Sequence, residues 1–420
     1  MTLIINLFIC GFIIFFSINR LKNDYKTFYI MFYLYYQAII TSASITYIEQ
    51  GNYISEQGRY GYFVGANICF LFFFLISVYL IEYGLKILRR QTINLPKFKI
   101  GKIKLDYFLT VLVAISILFL LYINLFLSSS PLFDSSVTRF TYWENSKLNF
   151  LKSIIGNTSV FIPFIFGLIY CRKKTLGVLL LLLYILYIVL IGQKFSPLVR
   201  AIYAFFLPAV LNSNIKFNIR IFRFFKFKYA IIVLSLFGLV YIKYSHHNPF
   251  KNYGVDSPMG AIIYRVFGLQ AHLFWGSVEQ FVYLNKPSSW DITELYKGMH
   301  TLMRYFWYGD LEHIEGAMSR GFSFTNAYPA VLMKIFPLFF AYIFHAILII
   351  FVYIPSAWLV ERAIMCKNYF IAFISFQCFN WIGVAFIMGY FNKVIPGILI
   401  LTLLIFFSFL ILKIKKDVSK

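Results

Sequence analysis

The chain has 420 residues, of which 60% are hydrophobic and only 13% charged, with a mean hydropathy of +0.75. Soluble globular domains carry about 25% charged residues, so the composition excludes an ordinary soluble protein, and the unbroken apolar runs exclude a membrane β-barrel, whose strands alternate. The net charge of +23 calls for no nucleic-acid partner, because the lysines and arginines cluster in short gaps between apolar runs, where they record orientation in a membrane.

Those runs are long enough for helices crossing about 30 Å of hydrocarbon. The first, Leu3 to Asn19, has no basic residue ahead of it and Arg20, Lys22 and Lys26 behind it. It is expected to be a retained helix with its N-terminus outside rather than a signal peptide. Phe28 to Ile48 is the second run and Tyr62 to Leu85 the third, joined by an outer loop carrying Glu49, Glu56 and Arg59. Seven basic residues from Lys86 to Lys104 then mark a cytoplasmic loop. The fourth run is Asp106 to Leu127 and the fifth Ser153 to Cys171, followed by Arg172, Lys173 and Lys174.

The sixth run ends at Ile191 and meets Gly192, Gln193, Lys194, Phe195, Ser196 and Pro197, a tight turn at the outer face. Arg200 lies one turn into the seventh run, which ends near Leu211, and Lys216 to Lys228 is basic and cytoplasmic. The eighth, Tyr229 to Tyr244, leads to a polar interlude from Ser245 to Thr325, the only sizeable stretch that does not suit a bilayer. A ninth run from Pro329 to about Leu359 is expected to kink at Pro337 or Pro355. Tyr369 to Tyr390 and Val394 to Leu412 complete the set. The expectation is an all-α, polytopic membrane protein: one integral domain of about eleven transmembrane helices, N-terminus out and C-terminus in, with residues 245–325 as a large outer loop. The five cysteines lie in or beside apolar runs and form no disulfide or metal pattern.

The interlude gathers His246, His247, His272, His300 and His313, leaving only His345 elsewhere. Ser257 and Pro258 are a helix-start signal, and Met259 to Phe281 has helical periodicity. On one continuous helix, Arg265, His272 and Glu279 would share a stripe, being seven residues apart, with Gly268 and Gly276 among them. A second helix is expected from Asp291, with Glu294 as its capping-box partner, to Tyr308, placing Lys297, His300, Thr301 and Arg304 on one side. Gly309 to Asn326 reads as an irregular loop containing His313 and Arg320. The same stripe also fits a plain interfacial helix whose long side chains reach to water.

No phosphate-binding Gly-rich loop, HExxH or GxSxG is present, and no metal or cofactor is expected. Carboxylates are almost absent from the apolar runs, which disfavours an ion-coupled transporter. What remains is a basic, histidine-bearing outer surface. Arginine suits a diphosphate because its fork binds two oxygens at once, which nominates Arg265, Arg304 and Arg320, with Lys194 and Arg200 at the neighbouring turn. A general base could take a proton from a sugar hydroxyl. His272 is the first candidate, with Glu279 supporting it and His313 in reserve.

Eleven or so helices, short loops, one dominant late outer loop and the Gly192-Gln193-Lys194 turn together resemble the Wzy-type O-antigen or oligosaccharide repeat-unit polymerases of bacterial inner membranes. The resemblance implies a helical GT-C-type fold. It also implies a metal-independent transfer of a growing glycan from one undecaprenyl diphosphate to the sugar of another, on the outer face of the membrane. The expected partners are the undecaprenyl-diphosphate-linked glycan and membrane lipids, with a chain-length regulator and a flippase nearby. A lipid-linked glycan ligase would share the site with a different acceptor. A flippase or exporter would carry its polar residues within the spans, and a metal-dependent GT-C enzyme would need an acidic pair such as Glu49 and Glu56.

Overall fold

The computed structural model describes residues 2–90, 105–131, 134, 137, 141–151, 161–192, 195–212, 238, 241, 244–245, 255, 257–319, 326–365, 369–400 and 402–403. Among the described residues the protein is helical almost throughout; its one sheet is a two-stranded hairpin, β1 (Tyr53–Ile54) with β2 (Arg59–Tyr60). Four helical stretches there are long and apolar enough to cross a membrane: Thr2–Asn23, Ala66–Arg90, Phe108–Leu127 and Leu338–Met365. Four further apolar helices are shorter: Phe161–Tyr170, Lys174–Leu190, Pro197–Leu211 and Ile374–Met388. The expected eighth run lies outside the described residues apart from 238, 241 and 244, and so does most of the eleventh beyond 400.

The chain divides into two compact units, one formed by Met1–Thr92, Ile215–Trp358 and Trp381–Thr402, the other by Ile93–Asn214, Leu359–Asn380 and Leu403–Lys420. The first unit opens with α1 (Thr2–Asn23), α2 (Tyr25–Ile30), α3 (Phe32–Ile48) and α4 (Ala66–Arg90). The second expected run is thus divided at Met31, and Asp24 caps the start of the short helix before it by accepting from the Thr27 amide at 3.1 Å. Buried polar groups join α1, α3 and α4. Asn67 donates to Asn6 at 3.1 Å and Asn6 to Glu49 at 2.7 Å. Glu49 also accepts from the amides of Val64 (3.2 Å) and Ala66 (2.9 Å). Glu49 therefore caps α4 from a distance, using a carboxylate where helix N-terminal amides lack partners.

The second unit holds α5 (Leu105–Leu127), α6 (Phe161–Tyr170), α7 (Lys174–Leu190) and α8 (Phe195–Asn212). Its core is aliphatic and aromatic, with Leu121, Phe166, Tyr184, Tyr187 and Phe205 buried together. At Gly167 a side chain would come within 2.2 Å of the Phe205 carbonyl, so α6 and α8 touch backbone to backbone, as small residues allow in helix packing.

The polar interlude belongs to the first unit. It contains α9 (Pro258–Ile263), α10 (His272–Val278), α11 (Glu294–Lys297), α12 (Met299–Phe306) and α13 (Leu311–Ser319). Beyond it come α14 (Ala330–Ile335), α15 (Leu338–Leu348), α16 (Ile354–Met365) and α17 (Tyr369–Met388). The expected ninth run breaks at Pro337, whose ψ of 149° is extended, while Pro355 sits inside helix after a π-helical turn at Ile349–Tyr353. α14 is folded with the interlude: the amides of Ser289 and Trp290 donate to the carbonyls of Lys334 and Ile335, both at 2.9 Å. They complete carbonyls that the end of a helix leaves open.

Candidate functional site

The hairpin at residues 53–60 and the late interlude, some two hundred residues apart in sequence, fold together. In the hairpin Tyr53 pairs with Tyr60 and Ile54 with Arg59, and the turn between them needs Gly58, at φ +63°. Hydrogen bonds and an ion pair stitch it to the interlude. The Ser55 amide donates to the Tyr264 hydroxyl at 2.7 Å. Gln57 Nε2 donates to the His272 carbonyl at 2.8 Å. Arg59 Nη1 lies 2.7 Å from Glu279 Oε1 and 2.6 Å from Oε2. The Arg59 guanidinium also donates to Gln57 Oε1 through Nε (3.0 Å) and Nη2 (2.6 Å), and it lies 4.9 Å over the Trp275 ring. Glu279 takes a further bond from Gln280 at 2.7 Å. A buried carboxylate is tolerated when it is paired and hydrogen-bonded in this way.

The expected continuous helix from Met259 to Phe281 is interrupted. After α9 comes a π-helical turn, Tyr264–Gly268, and the helix restarts only at His272. Side chains take up the backbone groups at the break: Gln270 Nε2 bonds the Arg265 carbonyl at 3.0 Å, and Ser44 Oγ accepts from the Ala271 amide at 3.0 Å. Arg265 is thereby removed from the stripe of His272 and Glu279. Its Nη1 donates to the Tyr244 hydroxyl at 2.9 Å. His272 and Glu279 are each only 1% exposed, and burial drives the His272 imidazole down to about 3. Glu279 is engaged by Arg59 and Gln280. A base is most effective with a pKa near the working pH, and burial moves His272 away from it.

The second expected helix is also divided. Asp291 accepts from the Thr293 amide and hydroxyl at 2.9 and 2.7 Å. Glu294, instead of closing a capping box, pairs with Lys334 at 2.9 Å. Gly298, at φ +54° and ψ −123°, separates α11 from α12; a side chain there would meet the Gly389 carbonyl at 2.3 Å. Lys297 is therefore not on one helical face with His300, Thr301 and Arg304. Arg304 pairs with Glu315 at 3.0 Å, both about half exposed. His300 stands edge-on to Tyr390 at 5.2 Å, and its imidazole is lowered by burial and then by the Arg304 charge. His313 falls on α13, a helix where an irregular loop was expected, and Arg320 lies outside the described residues. Lys194 lies outside them too; Gly192, at φ +66°, ends α7 as the turn requires, and Arg200 is on α8 in the second unit.

Sequence reasoning gave no role to Arg59, Gln57 or Tyr264 and weighed Glu56 only as one of an acidic pair for a metal. The Tyr264 hydroxyl lies 2.6 Å from Ser55 Oγ and donates to Glu56 Oε2 at 3.4 Å, while Ser55 Oγ donates to the same oxygen at 2.7 Å. Burial raises the Glu56 carboxyl, opposed by the Ser55 and Tyr264 hydrogen bonds and the Arg265 charge. Also missed was His345. Its Nε2 meets Ser77 Oγ at 2.7 Å and the Phe73 carbonyl at 3.2 Å, and its Nδ1 bonds the Tyr328 hydroxyl. No group of three or more His, Cys, Asp or Glu side chains suited to a metal occurs among the described residues.

A family of unknown function, DUF6418, matches residues 293–411. No curated protein and no solved structure matches the chain. The matched segment takes in Arg304, His313, Arg320, Tyr328 and His345, and it leaves out the hairpin, α9 and α10.

Proposed function

We propose that the protein is an integral membrane polymerase joining undecaprenyl-diphosphate-linked oligosaccharide repeat units, with the hairpin and interlude on the outer face of a bacterial inner membrane. The finer architecture of this reading is about eleven spans in a GT-C-type arrangement, N-terminus outside. The observation that carries it is the joining of the hairpin to the distant interlude, both bearing arginines and tyrosines, attached to helices long enough to cross a bilayer. Arg265, whose Nη1 donates to the Tyr244 hydroxyl at 2.9 Å, is the first residue of this reading for the diphosphate, because a guanidinium fork can bind two phosphate oxygens at once. Arg304, Arg320, Lys194 and Arg200 are the further basic residues of this proposal. A flippase and a chain-length regulator are the proposed partners.

Deleting the gene in its native strain and profiling surface glycan and lipid-linked intermediates tests the reading. Single repeat units on the surface support it. Lipid-linked units trapped inside point to a flippase, and full-length chains left unattached point to a ligase; either result overturns polymerisation. Arg265→Lys, which keeps charge but loses the bidentate fork, is expected to shorten chains at unchanged protein level.

A further inference from the structure

The hairpin turn carries a surface that the contacts above leave unused. Tyr53 and Tyr60 meet edge to face at 5.1 Å, and the Tyr308 ring lies over Gly58, where a side chain would come within 2.7 Å of it. Tyr60 is 68% and Tyr308 58% exposed. Tyr53 and Tyr60 face each other across the strands and Tyr308 covers the turn that holds Glu56, so the three rings and the carboxyl belong to one turn. Glu56 is half-buried, between this surface and the Ser55, Tyr264 and Arg265 groups behind it.

The character of this surface selects its occupant. The one aliphatic residue of the hairpin strands, Ile54, is 1% exposed, so the apolar area offered is tyrosine alone. The charges on this surface are acidic: Glu56 in the turn, hydrogen-bonded by Ser55 and Tyr264, and exposed Asp310 and Glu312 just after Tyr308; Arg265, behind it, donates to the Tyr244 hydroxyl. The basic Arg59 is held by Glu279. An anchor in the headgroup region of an anionic leaflet combines aromatic rings with lysine or arginine. Rigid tyrosines beside acids suit instead a hydroxylated ring, whose C–H face lies on an aromatic plane while its hydroxyls meet phenol and carboxylate groups.

We infer that Tyr53, Tyr60 and Tyr308 form the platform for the acceptor sugar and that Glu56 is the base acting on its hydroxyl; this rests on the polymerase reading. The acceptor hydroxyl gives its proton to the Glu56 carboxylate as its oxygen bonds the anomeric carbon of the donor glycan. The bond from that carbon to the diphosphate oxygen breaks, and its electron pair leaves with undecaprenyl diphosphate. Arg265, next in the chain to the Tyr264 whose hydroxyl bonds Glu56, is the cation on hand for the phosphate.

The test uses the full-length protein in lipid nanodiscs and, as probe, oligosaccharides of one and two repeat units cut from the native strain's own surface glycan. Tyr60→Ala and Tyr308→Ala are each expected to weaken binding by about tenfold, and Tyr60→Leu to weaken it equally. Tyr83→Ala, which removes an equally exposed tyrosine on α4, is the control that leaves binding unchanged. Glu56→Gln should still bind the oligosaccharide but lose about a hundredfold or more in polymerisation rate. Unchanged binding in Tyr60→Ala overturns the platform, as does full binding by Tyr60→Leu, because a greasy side chain would then suffice. Normal chain length in Glu56→Gln removes it as base. Failure of the polymerase reading shows separately, as an unaltered glycan in the deletion strain, while the binding comparison still decides the platform. Because Tyr60 is at the surface, its variants keep the test intact should Tyr308→Ala misfold.

Discussion

Arg59–Glu279 and Ser77–His345–Tyr328 both tie together distant parts of the first unit, yet they are built in opposite ways. The first is an ion pair between the hairpin and the interlude, where the Arg59 side chain remains 33% exposed and the Glu279 side chain only 2%. The second is a neutral clamp between helices of membrane-crossing length, Ala66–Arg90 and Leu338–Met365. There Ser77 Oγ donates to the Phe73 carbonyl at 2.9 Å, which assigns the His345 proton to Nε2 and leaves Nδ1 to accept from Tyr328. A charge needs water or a counter-charge, and this pairing provides both; among apolar helices the desolvation of an ion is too costly, and a neutral imidazole between two hydroxyls takes its place. The same side-chain types thus fasten the structure by charge at one level and by tautomer at the other.

The largest expected effect comes from stranding the buried carboxylate. Arg59→Ala should lower stability by about 3 to 5 kcal/mol, read as the thermal midpoint in detergent, and adding Glu279→Gln should recover much of the loss. A loss in the single variant no larger than that of an exposed ion pair would break the contrast.

His345→Ala opens a cavity and leaves two hydroxyls without their shared partner, so it is expected to cost about 2 to 3 kcal/mol. Tyr328→Phe, which removes one hydrogen bond, should cost about 1 kcal/mol. Equal losses in the two variants would argue against a two-sided clamp.

A smaller effect sharpens the comparison through pH. Burial lowers His272 from 6.5 to about 3, so the unfolded chain binds a proton there that the folded chain does not. Stability from this group is complete above about 6.5 and falls as pH drops toward about 3. His272→Gln should flatten that slope relative to the wild type in melts between about pH 7 and pH 4; parallel curves would show that the imidazole does not titrate this way. The smallest effect is expected at the exposed Arg304–Glu315 pair, where Arg304→Ala should change stability by no more than about 0.5 kcal/mol.

Local pattern was enough for the helices that have strong periodicity and clear ends. The apolar runs Leu3 to Asn19 and Asp106 to Leu127 coincide closely with α1 and α5, and Ser257 caps α9 by accepting from the Gly260 amide at 2.9 Å. The interlude was harder, because its helix breaks have tertiary causes. At Leu269 to Ala271 the break is held both by Gln270, which bonds the Arg265 carbonyl, and by the distant Ser44, which accepts the Ala271 amide. Gly298 breaks the next helix because Gly389 leaves no space for a side chain.

The sequence by itself determined that this chain is helical and apolar, where its polar residues concentrate, and which side-chain chemistry is available to them, because these depend on composition and on short-range periodicity. Only the tertiary structure decided which of those polar groups meet. Arg265, His272 and Glu279 would share a face on an ideal helix, but a π-helical turn and a restart send them to Tyr244, the buried interior and Arg59. The hairpin brings Glu56 beside Tyr264, a meeting that no spacing along the chain predicts. Spacing along one helix can be counted from the chain, whereas contacts such as Arg59 to Glu279, 220 residues apart, depend on how separate elements pack.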